Sequence, residues 1–485
     1  MNWRNGIIYG VFGLLLTAVS VQAAENLTNA DDLKKVDGIT VEYDYEEQLY
    51  DLNQKGVELF QANKFAEAID VFKEALKIVP DDKTVKNNLL AAYSYIAIEH
   101  MNKEEYKDAV GYFEEALRLS PDDVNIKRNL AFIYLNMASK QYDEDNTKVD
   151  ETITLLTKAL TFDPGNETIK RQLGMFLYNK AMDFYSDHEY KKAKEYLRES
   201  LKYYPDQAYT YEVLGDIGFY EHELADAKQF WQKAGELEPS SRIQEKLNKV
   251  NRDITADKEL VDYPSQQFII KYVPGFDLYT GYEIREILRE AYRQVGHDFN
   301  FYPKYKIVAL LYSKELFQNF VDGYWVTAAY DGKIRLPQEE NNVPEERLKA
   351  LAWHEYTHAI IHYLSGNKAP QWLQEGLAMY EENRMVPINM ALIKKKVREG
   401  YEFTLEKDLS GSPPTLGYEQ LRLYYLESYT LVDYLIKRYR LYKIKELLGL
   451  MKEGDDFETA MKKSLFLSPD RLNAKWNEYV YENYT

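Results

Sequence analysis

A short pattern that recurs five times constrains the fold of this 485-residue chain more than any other feature. Each copy has a small residue, a bulky residue four positions later, a small one at the seventh position and a proline at the twelfth. Offsets of four and seven place side chains on one face of an α-helix, where small residues let a second helix pack closely. Proline then ends the helix because it lacks a backbone N–H. The copies are Ala68-Phe72-Ala75-Pro80, Ala109-Phe113-Ala116-Pro121, Thr152-Leu156-Ala159-Pro164, Ala193-Leu197-Ser200-Pro205 and Ala227-Trp231-Ala234-Pro239.

The spacing between copies indicates the repeating unit. Successive prolines of the pattern lie 41, 43, 41 and 34 residues apart. The chain resembles the tetratricopeptide repeat family, whose unit is a helix pair of about 34 residues. Gly56 and Gly215, each twelve residues before the repeat alanine, match that family's close-contact glycine. We expect the longer spacings to contain extra helical turns. The resemblance implies an α-helical superhelix over residues 51–250 that binds peptides or protein partners.

The first residues have the composition of an export signal. Arg4 precedes an apolar run over residues 7–19, and Val-Gln-Ala at 21–23 supplies the small-x-small pattern of a cleavage site. We therefore expect a secretory signal peptide over residues 1–23 and an exported protein, either periplasmic or secreted. The run is short for a bilayer-spanning helix, and no later stretch approaches 18 apolar residues. No transmembrane segment is expected once the signal has been removed.

Charge and cysteine content exclude several classes of protein. The formal net charge of −18 argues against a general nucleic-acid-binding protein, which would present a basic face. Cysteine is absent, which excludes disulfides and lipid attachment to a thiol at the cleavage site. An acidic leader over residues 24–50 is expected to precede the repeats.

The pattern changes beyond residue 250, where the helical repeats give way to strands mixed with helices. Residues 251–264 are expected to form a linker. Runs of β-branched and aromatic residues then indicate strands, and Asp-Gly between two such runs indicates a hairpin. The predicted strands are "FIIKYV" at 268–273, "KIVALLY" at 306–312 and a hairpin within 323–337 that turns at Asp331-Gly332. A helix separates the first two strands and only helices follow the hairpin, which predicts an α+β domain over residues 265–485.

The stretch "HEYTHAIIH" at 354–362 contains three of the seven histidines. A helix expected from Pro344 to Gly366 places His354 and His358 one turn apart on the same face, with Glu355 on the adjacent flank. This is the HExxH arrangement, in which two histidines bind zinc and a carboxylate lies beside the metal. A structural zinc site would usually draw on cysteine, so the motif indicates a catalytic site.

A catalytic zinc site needs a third protein ligand. His362 lies ~12 Å from His354 along the helix axis, too far to share one ion with it, and is expected to pack or to support the ligands from behind. Glu375 belongs to a second helix, which begins after the break "SGNKAP" and can fold back towards the histidines. Glu381 and Glu382 lie about two turns further along that helix. We therefore favour Glu375 as the third ligand.

The pairing of "HEYTH" with "WLQEGLA" resembles the gluzincin branch of zinc metallopeptidases. Within that branch, it resembles the peptidase MA-like domains that often accompany tetratricopeptide repeats. The resemblance covers about residues 265–485 and implies a zincin-type metallopeptidase fold. It implies that Zn²⁺ is the cofactor, that His354, His358 and Glu375 are its ligands, and that Glu355 is the general base.

The same resemblance implies roles for two further segments. A strand before the HExxH helix typically holds the substrate backbone in this family, which here falls on residues 323–330 or on the hairpin partner "KIRLP". The stretch "YYLESYTLVDYL" is similar to the helix that supplies a tyrosine near the reaction centre, where Tyr425 fits best and Tyr424 next. The aminopeptidase stretch Gly-Ala-Met-Glu-Asn is absent, which argues against aminopeptidase activity.

These features predict an exported zinc metallopeptidase that hydrolyses peptide bonds, with a repeat array that recruits protein substrates or partners. The alternative is a non-catalytic repeat scaffold that uses a peptidase-like domain only for binding, since fold and activity can separate. The presence of all four chemical positions, His354, Glu355, His358 and Glu375, favours the peptidase.

Overall fold

The computed structural model describes residues 42–275, 281–320, 329–338, 345–405, 409 and 417–485. The predicted signal peptide at 1–23, the leader up to residue 41 and the strand residues 323–328 lie outside the described residues. The chain divides into two compact units, Met1–Ile133 and Tyr134–Thr485, here called the N-terminal and C-terminal units. Within the described ranges, no helix is both long and apolar enough to cross a bilayer.

The repeat region consists of successive helix pairs followed by one further helix. Its helices are α1 (Glu42–Gln61), α2 (Phe65–Ile78), α3 (Lys83–Asn102), α4 (Tyr106–Leu119), α5 (Val124–Glu144), α6 (Val149–Phe162), α7 (Glu167–Ser186), α8 (Tyr190–Tyr203), α9 (Ala208–Tyr220), α10 (Leu224–Leu237) and α11 (Ser241–Asp257). The second helix of every pair has 14 residues and buries the small, bulky and small residues of the sequence pattern. The five registers read from the sequence are therefore confirmed. The last part of the predicted acidic leader forms the start of α1.

The insertions lengthen the first helix of a pair. Helices α3 and α7 have 20 residues and α5 has 21, whereas α9, in the repeat of standard spacing, has 13. The expected extra helical turns are confirmed. The two repeat glycines permit close helix contact, since a Cβ at Gly56 would collide with the ring of Phe72 and one at Gly215 with the indole of Trp231.

The C-terminal region combines a small sheet with nine further helices among the described residues. Its elements are β1 (Val261–Tyr263), β2 (Phe268–Tyr272), α12 (Gly281–Asp298), β3 (Ile307–Ser313), α13 (Lys314–Phe317), β4 (Ala329–Tyr330), β5 (Ile334–Gln338), α14 (Glu345–Ser365), α15 (Gln371–Glu382), α16 (Ala391–Arg398), α17 (Tyr418–Tyr439), α18 (Leu441–Glu453), α19 (Phe457–Leu465) and α20 (Pro469–Asn483). The strands predicted at 268–273 and 306–312, the helix between them and the turn at Asp331-Gly332 are present. Of the first hairpin strand, only residues 329–330 are described.

The sheet has the order β1-β2-β3-β5-β4. Its three central strands are parallel, with Ile270 opposite Ala309 and Leu311 opposite Leu336, while β1 and β4 pair antiparallel at the edges. These apolar residues belong to one core together with α12 and the buried face of α14. Because β-strands project alternate side chains to opposite faces, the buried face of β2, β3 and β5 provides a fixed base for α14.

Most of residues 251–264, predicted to form a linker, belongs instead to regular elements. Helix α11 continues to Asp257, and β1 follows and pairs with β2. The buried Asp253 carboxylate of α11 lies 2.8 Å from the Lys333 ammonium and 2.9 Å from the Arg335 guanidinium. Both cations are buried as well. Buried charges need partners, and these two find theirs on the last repeat helix, which anchors α11 to the β4–β5 hairpin.

Candidate metal centre

Helix α14 carries the HExxH residues close to its middle, with the bounds that its sequence predicts. Glu345 and Glu346 lie in its first turn, where carboxylates favour the positive end of the helix, and Gly366 follows its end with φ +58°. The rings of His354 and His358 lie one turn apart with their centroids separated by 4.9 Å. Both imidazoles therefore project from the same face of α14.

Helix α15 brings a carboxylate to the two imidazoles. The Glu375 Oε2 atom lies 3.5 Å from the Nε2 atom of His354 and 3.5 Å from that of His358. Helix α15 also packs closely on α17, where a Cβ at Gly376 would collide with the Ser428 carbonyl oxygen. The three side chains favoured by sequence thus converge, and their ligand atoms all lie within 4.8 Å of one another.

The two rival carboxylates on α15 have other partners. The Glu382 Oε2 atom lies 2.8 Å from His354 Nδ1, and Glu381 is buried and forms a 2.8 Å ion pair with Arg384. A hydrogen bond from Nδ1–H to Glu382 would fix the His354 ring with Nε2 facing Glu375. This supporting role of Glu382 was not predicted from the sequence. The signal for it is the seven-residue spacing of Glu375 and Glu382, which puts both on one helix face.

The electrostatics of the cluster follow from burial and from its mixed charges. Burial alone would raise the pKa of Glu375, but the charges and hydrogen bonds of His358 and His354 hold that pKa far below its usual range. Burial would lower the pKa of His354, yet hydrogen bonds to Glu375 and Glu382 raise it well above its ordinary value. Burial raises the pKa of Glu355. The cluster therefore stabilises positive charge at the point where the three ligand atoms meet.

The donor set fits a catalytic zinc ion. Two imidazole nitrogens and one carboxylate oxygen are a known ligand combination for catalytic zinc, with a fourth position left for water or substrate. The Glu355 side chain is buried beside them, and its Oε2 atom has no hydrogen-bond partner within the described part of the chain. An unpartnered buried carboxylate oxygen is costly unless a ligand or water engages it. Glu355 is therefore available to a group bound at the centre.

Two adjacent tyrosines of α17 differ in their access to the centre. Tyr425 lines a cavity of about 430 Å³ together with His354 and Glu355. Tyr424 is 1% exposed, does not line that cavity, and its hydroxyl has no hydrogen-bond partner among the described residues. Burial and the negative charges of Glu375 and Glu355 raise the pKa of Tyr425, so its hydroxyl keeps its proton. Of the two, only Tyr425 can donate a hydrogen bond into the cavity.

The remaining predicted positions lie further from the ligand atoms. His362 packs among aromatic rings, with centroid distances of 6.0 Å to Tyr330 and 6.5 Å to Tyr220, and burial lowers its pKa. Of the candidate substrate-binding segments, residues 323–328 lie outside the described residues, and Tyr330 pairs with Ile334 at the β4 edge of the sheet.

Family comparisons agree with both resemblances noted in the sequence. Residues 346–482 match the Peptidase MA superfamily, and residues 90–123 match the Tetratricopeptide repeat. The first match includes all the ligand candidates, Glu355 and both α17 tyrosines. The chain thus combines tetratricopeptide repeats, a small mixed sheet and a C-terminal Peptidase MA-type domain.

Solved tetratricopeptide-repeat structures are similar to part of the chain. A TPR repeats protein from Bacteroides fragilis is 19% identical, covers 42% of this chain and 97% of its own, and has a TM-score of 0.26. YrrB, a TPR protein with an unusual peptide-binding site, is 18% identical over 41% of this chain and 90% of its own, with a TM-score of 0.17. A TPR protein from Thermus thermophilus is 16% identical over 42% and 98%, with a TM-score of 0.16. A sequence search of curated proteins gave no match.

Proposed function

We propose that this protein is an exported zinc-dependent metallopeptidase that hydrolyses peptide bonds. The observation that carries the proposal is the 3.5 Å approach of Glu375 Oε2 to the Nε2 atoms of both His354 and His358. Glu355 lies in the cavity beside them. The match of residues 346–482 to the Peptidase MA superfamily supports the same assignment.

The residues around the cavity have different roles in the proposed reaction. His354, His358 and Glu375 would hold the zinc ion, which when bound would polarise the scissile carbonyl as a Lewis acid. Glu355 accepts the proton of the attacking water and returns it to the leaving nitrogen. Tyr425 donates a hydrogen bond to the oxygen on which negative charge develops.

In this proposal the repeats capture substrates or partners, and the amino-terminal segment directs export. Repeat arrays hold peptides or partner proteins, and a tethered capture site raises the concentration of substrate segments near the centre. The net charge of −18 favours neutral or basic surfaces as the captured partners. The signal-like residues 1–23 support export to the periplasm or the medium. Export is tested by amino-terminal sequencing of the processed protein, which should begin at residue 24.

Metal analysis and one variant test the chemistry. The purified protein should bind about one zinc per chain, because the three ligands share one convergence point. Glu355→Gln should retain zinc and lose hydrolysis of unstructured peptides, because the amide cannot accept a proton from water. Glu346→Gln removes an exposed carboxylate from the first turn of the same helix and should keep full activity.

Three outcomes separate the possibilities. A wild-type chain that stays free of zinc after incubation with the metal would refute the metal assignment. A zinc-loaded chain that binds partners but cleaves no peptide would point to the non-catalytic scaffold. Unchanged cleavage by Glu355→Gln would remove that residue from the mechanism.

A further inference from the structure

The cavity beside the metal centre extends along α17. Leu421, Arg422, Tyr425 and Leu426 all line it and recur at spacings of three and four residues. Such spacings put side chains on one helix face. The cavity therefore runs from the Glu355 carboxylate towards the amino-terminal end of α17, and a substrate held at the centre would continue into it.

Most of the cavity wall beyond the centre is apolar. Leu351 of α14, Met379 of α15, Ile388 of the following loop, and Leu421 and Leu426 of α17 contribute side chains to it. Apolar area that leaves water on binding contributes about 25 cal/mol per Å². An aliphatic or aromatic side chain of a substrate would gain binding free energy here, whereas a glycine would gain little.

Among the described residues, Arg422 is the one arginine or lysine in the lining of this cavity. It is exposed, and among the described residues it has no hydrogen bond or ion pair. The described carboxylates in the same lining are Glu355 and Glu382, and Glu382 is already engaged by the Nδ1 atom of His354. Arginine presents a planar set of donors that matches a carboxylate with two parallel hydrogen bonds. The Arg422 guanidinium is thus free for a carboxylate carried by a ligand.

We infer that this cavity selects peptide segments that carry an apolar side chain and, next to it, a carboxylate bound by Arg422. The inference rests on the proposed peptidase function and specifies its substrates. Arg422 precedes Tyr425 by one helical turn, a rise of ~4.5 Å. Extended peptide advances ~3.3 Å per residue. The carboxylate therefore lies within about one or two residues of the cleaved bond. It belongs either to the carboxyl terminus of the substrate or to an aspartate or glutamate side chain.

Binding and cleavage measured in parallel test this inference. Four unstructured peptides share one sequence with a leucine near the end: a free acid, its amide, and amidated versions with glutamate or glutamine after the leucine. Affinities are measured by fluorescence anisotropy on zinc-loaded, full-length Glu355→Gln protein, which binds without turnover. Peptides with a carboxylate should bind about ten- to a hundredfold more tightly than their neutral counterparts.

Two variants test whether Arg422 causes the preference for peptides with a carboxylate. Arg422→Gln, made in the Glu355→Gln background, should bring the ratio of affinities close to one. The matched control is Arg438→Gln, which removes an exposed arginine from α17 outside the cavity and should preserve the ratio. Replacing the peptide's leucine with glycine should weaken binding by all forms.

The carboxylate preference and the peptidase function are refuted by different outcomes. If only the free acid binds tightly, the carboxylate bound by Arg422 is the carboxyl terminus of the peptide. If the amidated peptide with glutamate also binds tightly, Arg422 binds a side-chain carboxylate. Equal affinity of charged and neutral peptides, or a preference that survives Arg422→Gln, overturns the inference even if the wild type cleaves all four peptides. A carboxylate preference without cleavage by the wild type would instead leave the inference standing and refute the peptidase function.

Discussion

Removal of the Asp253 carboxylate should destabilise the C-terminal unit more than any exposed substitution in α11. Asp253 lies 2.8 Å from Lys333 and 2.9 Å from Arg335, and all three side chains are at most 1% exposed. In Asp253→Ala, Arg335 keeps its 3.0 Å contact with Asp331. Lys333 keeps no carboxylate partner among its described ion pairs.

The size of the effect follows from the unpaired ammonium. Removing one partner of a buried ion pair typically costs about 3–5 kcal/mol. Burial already lowers the pKa of Lys333 from 10.5 to about 8, with Asp253 opposing the shift. Without Asp253 the lysine would give up its proton. At pH 7 this neutralisation costs at most about 5 kcal/mol, at ~1.4 kcal/mol for each pH unit below the unfolded pKa. The cost of leaving the ammonium unpaired and the cost of neutralising it are each a large share of a typical folding free energy of about 5–15 kcal/mol.

The sign of the pH dependence is a second part of this prediction. In Asp253→Ala the native Lys333 is neutral while the unfolded lysine binds a proton, so the variant gains stability as pH rises. In the wild type the native lysine keeps its proton up to its pKa of about 8, so no such gain occurs below that pH. The stability deficit of the variant should therefore be smaller at pH 9 than at pH 7.

Urea unfolding followed by tryptophan fluorescence measures the deficit. Apart from Trp3, every tryptophan lies after residue 133, so the signal reports the C-terminal unit. Adding Lys333→Met to Asp253→Ala should recover part of the loss, because the uncompensated ammonium is gone. Glu245→Ala, an exposed change on α11, should stay within about 0.5 kcal/mol of the wild type. A deficit below about 1 kcal/mol at pH 7 would refute the reasoning.

The same contacts bear on how the chain can be divided. A fragment of residues 265–485 would contain the peptidase-type region but lack Asp253 and the remainder of α11. Lys333 and Arg335 would then lose their partner on α11, and we expect the fragment to be insoluble or unstable. Soluble, zinc-binding 265–485 protein with a cooperative unfolding transition would contradict this expectation.

Four further substitutions test the centre itself. Glu382→Gln should weaken zinc binding about ten- to a hundredfold, measured by competition with a chelator, because the Nδ1 partner of a ligating histidine orients its ring. Tyr425→Phe should lower kcat by about a hundredfold or more if its hydroxyl stabilises the oxyanion. Tyr424→Phe should change kcat much less, and equal effects would remove the distinction between the two tyrosines. Gly376→Ala should push α15 away from α17 and so move Glu375, which should abolish zinc binding. Unchanged zinc affinity would mean that the helices adjust without moving this ligand.

Features that depend on neighbours along the chain could be read from the sequence. The repeat registers follow from helical periodicity, as does the placement of His354 and His358 on one face, because residues four apart on a helix always lie side by side. The longer first helices follow from the spacing of the prolines. The convergence of Glu375 with the histidines was predictable in outline, because only a short break separates their two helices.

Features that join distant parts of the chain were decided by the tertiary structure alone. The partners Asp253 and Lys333 are 80 residues apart, and nothing in the local pattern distinguishes Asp253 from the other acidic residues of the repeats. For the same reason residues 251–264 looked like a linker, although α11 and β1 occupy most of that range. Tyr424 and Tyr425 are equivalent in composition, and only the packing of α17 buries one and turns the other into the cavity. Local periodicity determines which face of a helix a residue occupies, but the contacts of that face form only when the elements pack together.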